Sequence, residues 1–243
     1  MKNKVIVITG GATGMGFAIA KELIEQNTIV SIDRNLSKIE VLKNKLPKAI
    51  SLRADITIND EVDNVLKEIE KNYGKIDILI NNAGKGGGFD FINISESVLK
   101  TNIETELAIN YIAPVMLIKK TLALLSKSAQ PIVVICSTGL VYMPMAALGS
   151  YCASKAAVHF ITLSIRHLLK PLNIKVVEVL PPSVDTDLNI AKGVSKMSPE
   201  AFAKAFIKKL SKGEEVINIG QSASLEKFSR LFPKMAFKML NKS

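Results

Sequence analysis

The strongest constraint on the fold is a change of periodicity within the first 26 residues. Lys4-Val5-Ile6-Val7-Ile8-Thr9 is a continuous, mostly β-branched apolar run, the pattern of a strand buried on both faces. It runs straight into Gly10-Gly11-Ala12-Thr13-Gly14-Met15-Gly16. From Phe17 to Gln26 the apolar residues Ile19, Ala20, Leu23 and Ile24 then recur at helical spacing. In a strand–glycine turn–helix unit, the glycines let backbone approach a pyrophosphate, and the free N–H groups at the helix start bind its charge. Gly10, Thr13, Gly14, Met15 and Gly16 are therefore candidate phosphate-binding residues. The spacing is Thr-Gly-x-x-x-Gly-x-Gly, and no Gly-Lys-Ser/Thr follows, which excludes a P-loop.

The alternation continues. Further strands are expected at Thr28–Asp33, Ala49–Arg53, Ile76–Ile80, Pro131–Cys136, Ile174–Leu180 and Glu215–Ile219. Helices are expected at Ile58–Tyr73, Asn102–Ser126, from Tyr151 onward, and at Pro199–Leu210. With no internal repeat or linker composition, residues 1–243 read as one α/β domain. The expectation is a Rossmann-like, doubly wound sheet of seven mostly parallel strands with helices on both faces.

Ligands of such sheets bind outside the carboxyl ends of the strands. The second strand ends in Asp33, 17 residues after Gly16. An acid there bonds both ribose hydroxyls of an adenosine and repels a 2′-phosphate, which favours NAD. Arg34 follows directly and is able to hold that phosphate, which keeps NADP open. Asp55-Ile56 ends the third strand as a candidate adenine contact. Asn81-Asn82-Ala83-Gly84 ends the fourth, and its small residues leave room for a ligand, so Asn82, Ala83 and Gly84 join the candidate cofactor contacts. Lys85–Gly88 reads as a loop over the site.

Tyr151 and Lys155 stand four residues apart on a predicted helix, hence on one face and one turn apart. A free Tyr titrates at about 10. A neighbouring ammonium favours phenolate, so Tyr151 is expected to be tuned toward neutral pH and to exchange a proton with a substrate oxygen. Thr138 lies 13 residues upstream, after the fifth strand. In the long helix, Pro114 lacks an N–H and should bend the helix and free the Asn110 carbonyl, for which an ordered water is a natural partner.

Composition narrows the function classes. The chain is 48% hydrophobic and has no run of 18 apolar residues, so no membrane span is expected. The first strand begins at residue 4, which leaves no room for a secretory leader. Cys136 and Cys152 lie in apolar stretches and fit buried, reduced residues, and a cytoplasmic location is expected. His159 and His167 read as packing or surface residues, and no metal site is expected. The net charge is +10, and residues 204–243 carry nine Lys or Arg against three acids. A solvated helix face is the default for that tail, and nucleic-acid binding is not expected. Leu225, Phe228, Leu231, Phe232, Met235 and Met239 form a stripe within the basic, amphipathic segment 221–243, interrupted by Pro233. Docking on its own domain is the default for it, with a second subunit or a membrane surface as alternatives.

Taken together, Thr9-Gly10-x-x-x-Gly14-x-Gly16, Asn81-Asn82-Ala83-Gly84 and Tyr151-x-x-x-Lys155 resemble the short-chain dehydrogenase/reductase family over about the first 190 residues. The resemblance implies that Tyr151 is the general acid/base and that Lys155 binds the nicotinamide ribose and lowers the Tyr151 pKa. It also implies that Asn110 holds the water of a proton relay. Pro181, Val184 and Thr186 would flank the nicotinamide, with Thr186 on its carboxamide. Two positions depart from the family pattern. Thr138 stands where Ser is usual, with Ser137 able to substitute only if the loop shifts by one, and Pro181-Pro182 stands where Pro-Gly is usual. Thr138-Gly139-Leu140, Tyr151–Phe160, Arg166-His167 and Pro181–Leu188 further resemble the oxidoreductases encoded beside lipoteichoic-acid D-alanylation genes.

The implied activity is NAD(P)-dependent interconversion of an alcohol and a carbonyl on a small molecule, in a homodimer or homotetramer. The apolar outer faces of the Asn102 and Tyr151 helices agree with pairing. A non-catalytic cofactor-binding sensor or scaffold, or a protein acting through its basic tail, are the alternatives. Residues 85–100 and 187–212 are the expected substrate determinants and carry no readable motif.

Overall fold

The computed structural model describes residues 1–88, 90–188 and 195–241. Seven strands, β1 (Val5–Thr9), β2 (Thr28–Asp33), β3 (Ile50–Arg53), β4 (Ile78–Asn81), β5 (Ile132–Cys136), β6 (Lys175–Leu180) and β7 (Val216–Asn218), form one sheet in the order β3-β2-β1-β4-β5-β6-β7. Every pairing is parallel. The strand order reverses between β1 and β4, which opens a crevice above their carboxyl ends.

Side chains alternate across each strand, so each face of the sheet gathers its own core. Ile6, Ile8, Ile78, Ile80, Val134 and Val177 pack against α1 (Gly14–Leu23) and α7 (Pro199–Ser211). Within that layer the α7 rings of Phe202 and Phe206 stack. Val7, Leu79, Val133, Ile135 and Val176 pack against α3 (Asn59–Tyr73), α5 (Ala113–Leu125) and α6 (Gly149–Leu169). The remaining helices are α2 (Leu36–Lys45), α4 (Glu96–Leu107), α8 (Gln221–Leu231) and α9 (Pro233–Leu240).

Three elements depart from the expectations. Helix α2 has no counterpart in the sequence reading, because only Ile39 and Leu42 are buried in it. The Asn35 side chain caps it by accepting from the Lys38 N–H at 3.1 Å. Helix α4 begins at Glu96 rather than Asn102, capped by Ser95 and exposed through its first turn. The tail breaks at Pro233 into α8 and α9, and its stripe splits. Leu225 and Phe228 are partly buried, whereas Leu231, Phe232, Met235 and Met239 are exposed.

The bend expected at Pro114 is a π-turn over Ala108–Ile112, joining α4 to α5, in which the Ala113 N–H donates to the Ala108 carbonyl five residues back. By length and mean hydropathy the combined helix Glu96–Leu125 would suffice to cross a membrane. Here Leu117, Ile118, Leu124 and Leu125 are buried in the core.

Candidate active site

The cofactor loop is built by close approach. Gly10 and Gly14 take positive φ (65° and 55°), where a side chain is strained. A Cβ on Gly16 would lie 2.2 Å from the Gly10 carbonyl, so the first turn of α1 sits directly on the loop. The first intrahelical bond runs from the Phe17 N–H to Thr13. The N–H groups of Gly14, Met15 and Gly16 thus lack intrahelical partners at the helix's positive end. Asn82 clamps the arrangement from β4: its Nδ2 donates to the carbonyls of Thr9 and Gly10, both at 3.1 Å. The Thr9 hydroxyl accepts from the Asn82 and Ala83 N–H groups.

A cavity of about 620 Å³ runs from this loop across the strand ends. Gly10, Thr13, Gly14, Met15, Asp33, Arg34, Asp55, Ile56, Asn82, Ala83, Gly84 and Thr186 line it, so these twelve of the sequence-derived cofactor residues share one cleft. Asp33 uses one carboxylate oxygen on the Asn35 N–H. Arg34 pairs with Asp55 at 2.9 Å. Burial pushes the Asp55 carboxyl up, but bonds from the Thr57 N–H and hydroxyl and from Arg34 outweigh it and hold the group below its ordinary value. Asp55 is thus committed to protein partners on both oxygens.

A second cavity, about 640 Å³, adjoins the first, and both are lined by Met15, Asn82, Gly84, Thr186 and Leu188. Tyr151, Thr138, Lys155, Pro181 and Val184 line the second. The Thr138 hydroxyl lies beside the Tyr151 phenol, where it lowers the phenol's pKa against burial, and it accepts from the Leu140 N–H at 3.3 Å. Ser137 is not a substitute for Thr138. Its hydroxyl points away and donates to Glu178, at 2.5 Å. Gly86 lies against the Tyr151 ring, where a Cβ would come within 2.9 Å of it, so the 85–88 loop covers the phenol as expected.

Two electrostatic expectations need correction. Tyr151 is not tuned downward. Burial raises its phenol well above the ordinary value, nearby Cys136 adds to the rise, and only the Thr138 hydroxyl opposes it. Lys155 offers no counterweight, because it is itself buried, desolvation lowers its ammonium, and its Nζ donates to the Cys136 carbonyl at 2.8 Å. The Asn110 side chain is fully used by protein. Its Oδ1 accepts from the Lys85 N–H (2.9 Å), while Nδ2 donates to the Lys85 carbonyl (2.7 Å) and Ser154 Oγ (2.9 Å). Ser154 Oγ in turn donates to the Tyr151 carbonyl. Asn110 ties the covering loop to the Tyr151 helix, and only its main chain is left for a water.

Sequence reasoning missed two groups. Fully buried Glu178, on β6, bonds Ser137 and lies 2.9 Å from His159 Nδ1 through both oxygens, so Nδ1 carries a proton. Its signal was a lone acid inside Val176-Val177-Glu178-Val179-Leu180. Leu225, Phe228, Met239 and Leu240 of the tail line the second cavity. Leu225, Phe228 and Met239 belong to the tail stripe, which by itself indicates a docking face; Leu240 lies outside that stripe. Within the substrate segment 187–212, residues 189–194 lie outside the described residues.

A profile of the short chain dehydrogenase family matches residues 4–196. The chain belongs to the short-chain dehydrogenase family. An oxidoreductase of Bacillus subtilis (strain 168), named DltE and described as uncharacterized, is 31% identical over 248 residues, covering 97% of each chain. It represents the narrower likeness read from the sequence. An uncharacterized oxidoreductase of Staphylococcus aureus (strain N315), SA2266, is 29% identical over 227 residues, covering 89% of this chain and 94% of that one. Among solved structures, a short-chain dehydrogenase from Burkholderia cenocepacia J2315 in complex with NADP superposes with a TM-score of 0.86 at 20% identity, over 100% of this chain and 99% of that one. A 3-ketoacyl-(acyl-carrier-protein) reductase from Brucella melitensis complexed with NADH reaches 0.80 at 21% identity, over 90% and 97%. These two share the fold. As a short-chain dehydrogenase, the chain is an oxidoreductase.

Proposed function

We propose that this short-chain dehydrogenase interconverts an alcohol and a carbonyl, with NAD as the preferred cofactor and Tyr151 exchanging the proton. Tyr151 and Thr138, whose hydroxyls share the wall of a cavity adjoining the dinucleotide cleft, carry this reading. The residues fit a dinucleotide: a Cβ on Gly16 would clash with the Gly10 carbonyl, and the first N–H groups of α1 have no intrahelical partner and would bind a pyrophosphate. When bound, the nicotinamide supplies or accepts the hydride.

The protein's part follows from its own groups. Gly10–Gly16 and the start of α1 hold phosphate charge, Asp33 takes the ribose hydroxyls, and Pro181, Val184 and Thr186 flank the nicotinamide position. The Thr138 hydroxyl orients the substrate oxygen against the Tyr151 phenol. Because burial keeps that phenol protonated at neutral pH, it stands ready as the acid that protonates the oxygen of a reduced carbonyl. Lys155, whose Nζ donates to the Cys136 carbonyl, lines the same cavity and would hold the nicotinamide ribose. Asn110 acts through its main chain in the proton path and through its side chain as the tether of the covering loop.

Arg34 is paired with Asp55, whereas among the described residues Asp33 accepts from the neighbouring Asn35 N–H alone, which supports NAD over NADP. Ile103, Ile112 and Met116 on the long helix, and Phe160, Leu163 and Leu168 on α6, are exposed, and support pairing of copies across these faces. Turnover of a carbonyl and alcohol panel with NADH and NADPH tests the reading. Activity that Tyr151→Phe abolishes is expected, and a panel without such activity contradicts it.

A further inference from the structure

The cavity beside the hydroxyl pair has a chemistry of its own. Leu140, Met145 and Leu148 form one wall, and the tail residues Leu225, Phe228 and Met239 form the other. Among its described lining residues Lys155 is the one charged side chain, and its ammonium already bonds the Cys136 carbonyl. Among those described lining residues there is no Arg or second Lys to pair with a carboxylate or phosphate. Of the polar side chains near the apolar walls, Ser137 donates to Glu178 and Ser222 to Pro181, while Gln221 and Ser224 are exposed.

The tail is fastened across this cavity at both ends. At the start of α8, Ser222 Oγ donates to the Pro181 carbonyl at 2.7 Å. Ser222 packs so closely on Gly139 that a Cβ there would come within 2.4 Å of its hydroxyl. Just beyond α9, Asn241 Oδ1 accepts from the Ala146 N–H at 2.5 Å, and its Nδ2 donates to the Pro144 carbonyl at 3.1 Å. Both anchor points lie on the segments that deliver Thr138 and Tyr151. The basic side chains Lys227, Lys234 and Lys238 are exposed and do not line the cavity.

We propose that α8 and α9 are the substrate wall, and that the substrate is an uncharged, predominantly hydrocarbon ketone, aldehyde or alcohol with its oxygen at Tyr151 and Thr138. This assignment rests on the alcohol–carbonyl reading of the same site. A charged substrate would meet no counter-ion among the described lining residues other than Lys155, so it is disfavoured. A hydrocarbon chain gains affinity with each methylene it buries.

The test is a series of straight-chain methyl ketones of about four to ten carbons, with NADH. The expected result is a kcat/KM that rises about fourfold per methylene until the cavity is filled. Phe228→Lys is expected to flatten the slope and leave NADH affinity unchanged. Met239→Lys is a second variant at a half-exposed position, where a charge does not threaten folding. Displacement of Nile red, an uncharged apolar probe, by the same ketones is read in parallel and needs no turnover. Displacement that grows with chain length and is lost in both variants supports the wall even if no ketone is reduced; a full carbonyl and alcohol panel without Tyr151-dependent turnover would instead refute the alcohol–carbonyl reading. Preferential turnover of keto acids, phosphorylated or polyhydroxylated carbonyls, or variants with an unchanged slope and unchanged displacement, would overturn the assignment.

Discussion

Replacing Glu178 with Gln separates electrostatics from packing behind the site. The carboxylate is fully buried, takes the Ser137 hydroxyl at 2.5 Å and faces protonated His159 Nδ1 at 2.9 Å. Glu178→Gln keeps the shape and loses the charge. Hydrogen bonds to a charged group contribute about 1.5–3 kcal/mol each, and a neutral amide retains part of both, so the expected loss is about 3 kcal/mol. For a chain of this length that lowers Tm by about 6–12 °C. The pH dependence carries the sign. The bond to Glu178 raises the His159 pKa above its ordinary value, against burial, which lowers it, and against Arg166. A raised folded-state pKa gives stability that is fully present below the unfolded value of about 6.5 and disappears as pH rises through the folded value. Calorimetric scans of both proteins should therefore show their Tm gap widest near pH 6 and narrowing toward pH 9. A gap that is flat or widens with pH would refute the coupling.

Other perturbations reach the cleft from different sides. Asn82→Ala removes both bonds that hold the Thr9 and Gly10 carbonyls, and NADH titration should show Kd weakened about tenfold or more, with an unchanged fold by circular dichroism. Asp33→Ala combined with Asp55→Ala frees Arg34 and removes the ribose acceptor, and fluorescence titration should show preference moving toward NADPH. If the wild type already binds NADPH more tightly, Arg34 outweighs Asp33. Thr138→Val deletes the hydroxyl that lines the cavity beside Tyr151 at equal volume and should lower kcat about 100-fold, while Thr138→Ser restores most of it.

The sheet was legible because the period of apolar residues changes at every junction, and the cofactor loop because its glycines sit at one such junction. The Tyr151–Lys155 spacing placed both groups on one helix turn. Helix α2 was not legible, since two buried residues make too weak a stripe. The role of Glu178 depends on what faces a strand residue across the sheet, and its partners stand 41 and 19 residues away in sequence. The Tyr151 pKa went the other way from its local reading, because helix spacing counts the neighbouring charge and desolvation comes from the whole fold. The tail's apolar stripe was visible, but which surface it covers is set by Ser222 and Asn241, whose partners are distant in sequence.

The central claim is that Tyr151 moves the proton, and Tyr151→Phe tests it most directly. With a carbonyl substrate of the active panel and saturating NADH, kcat should fall at least about 100-fold, while NADH Kd stays within about twofold. Wild-type reduction should stay active up to the alkaline limit of measurement, because burial holds the phenol protonated. A Tyr151→Phe protein that retains kcat within about tenfold, or a wild-type reduction rate that collapses near neutral pH, would contradict the account.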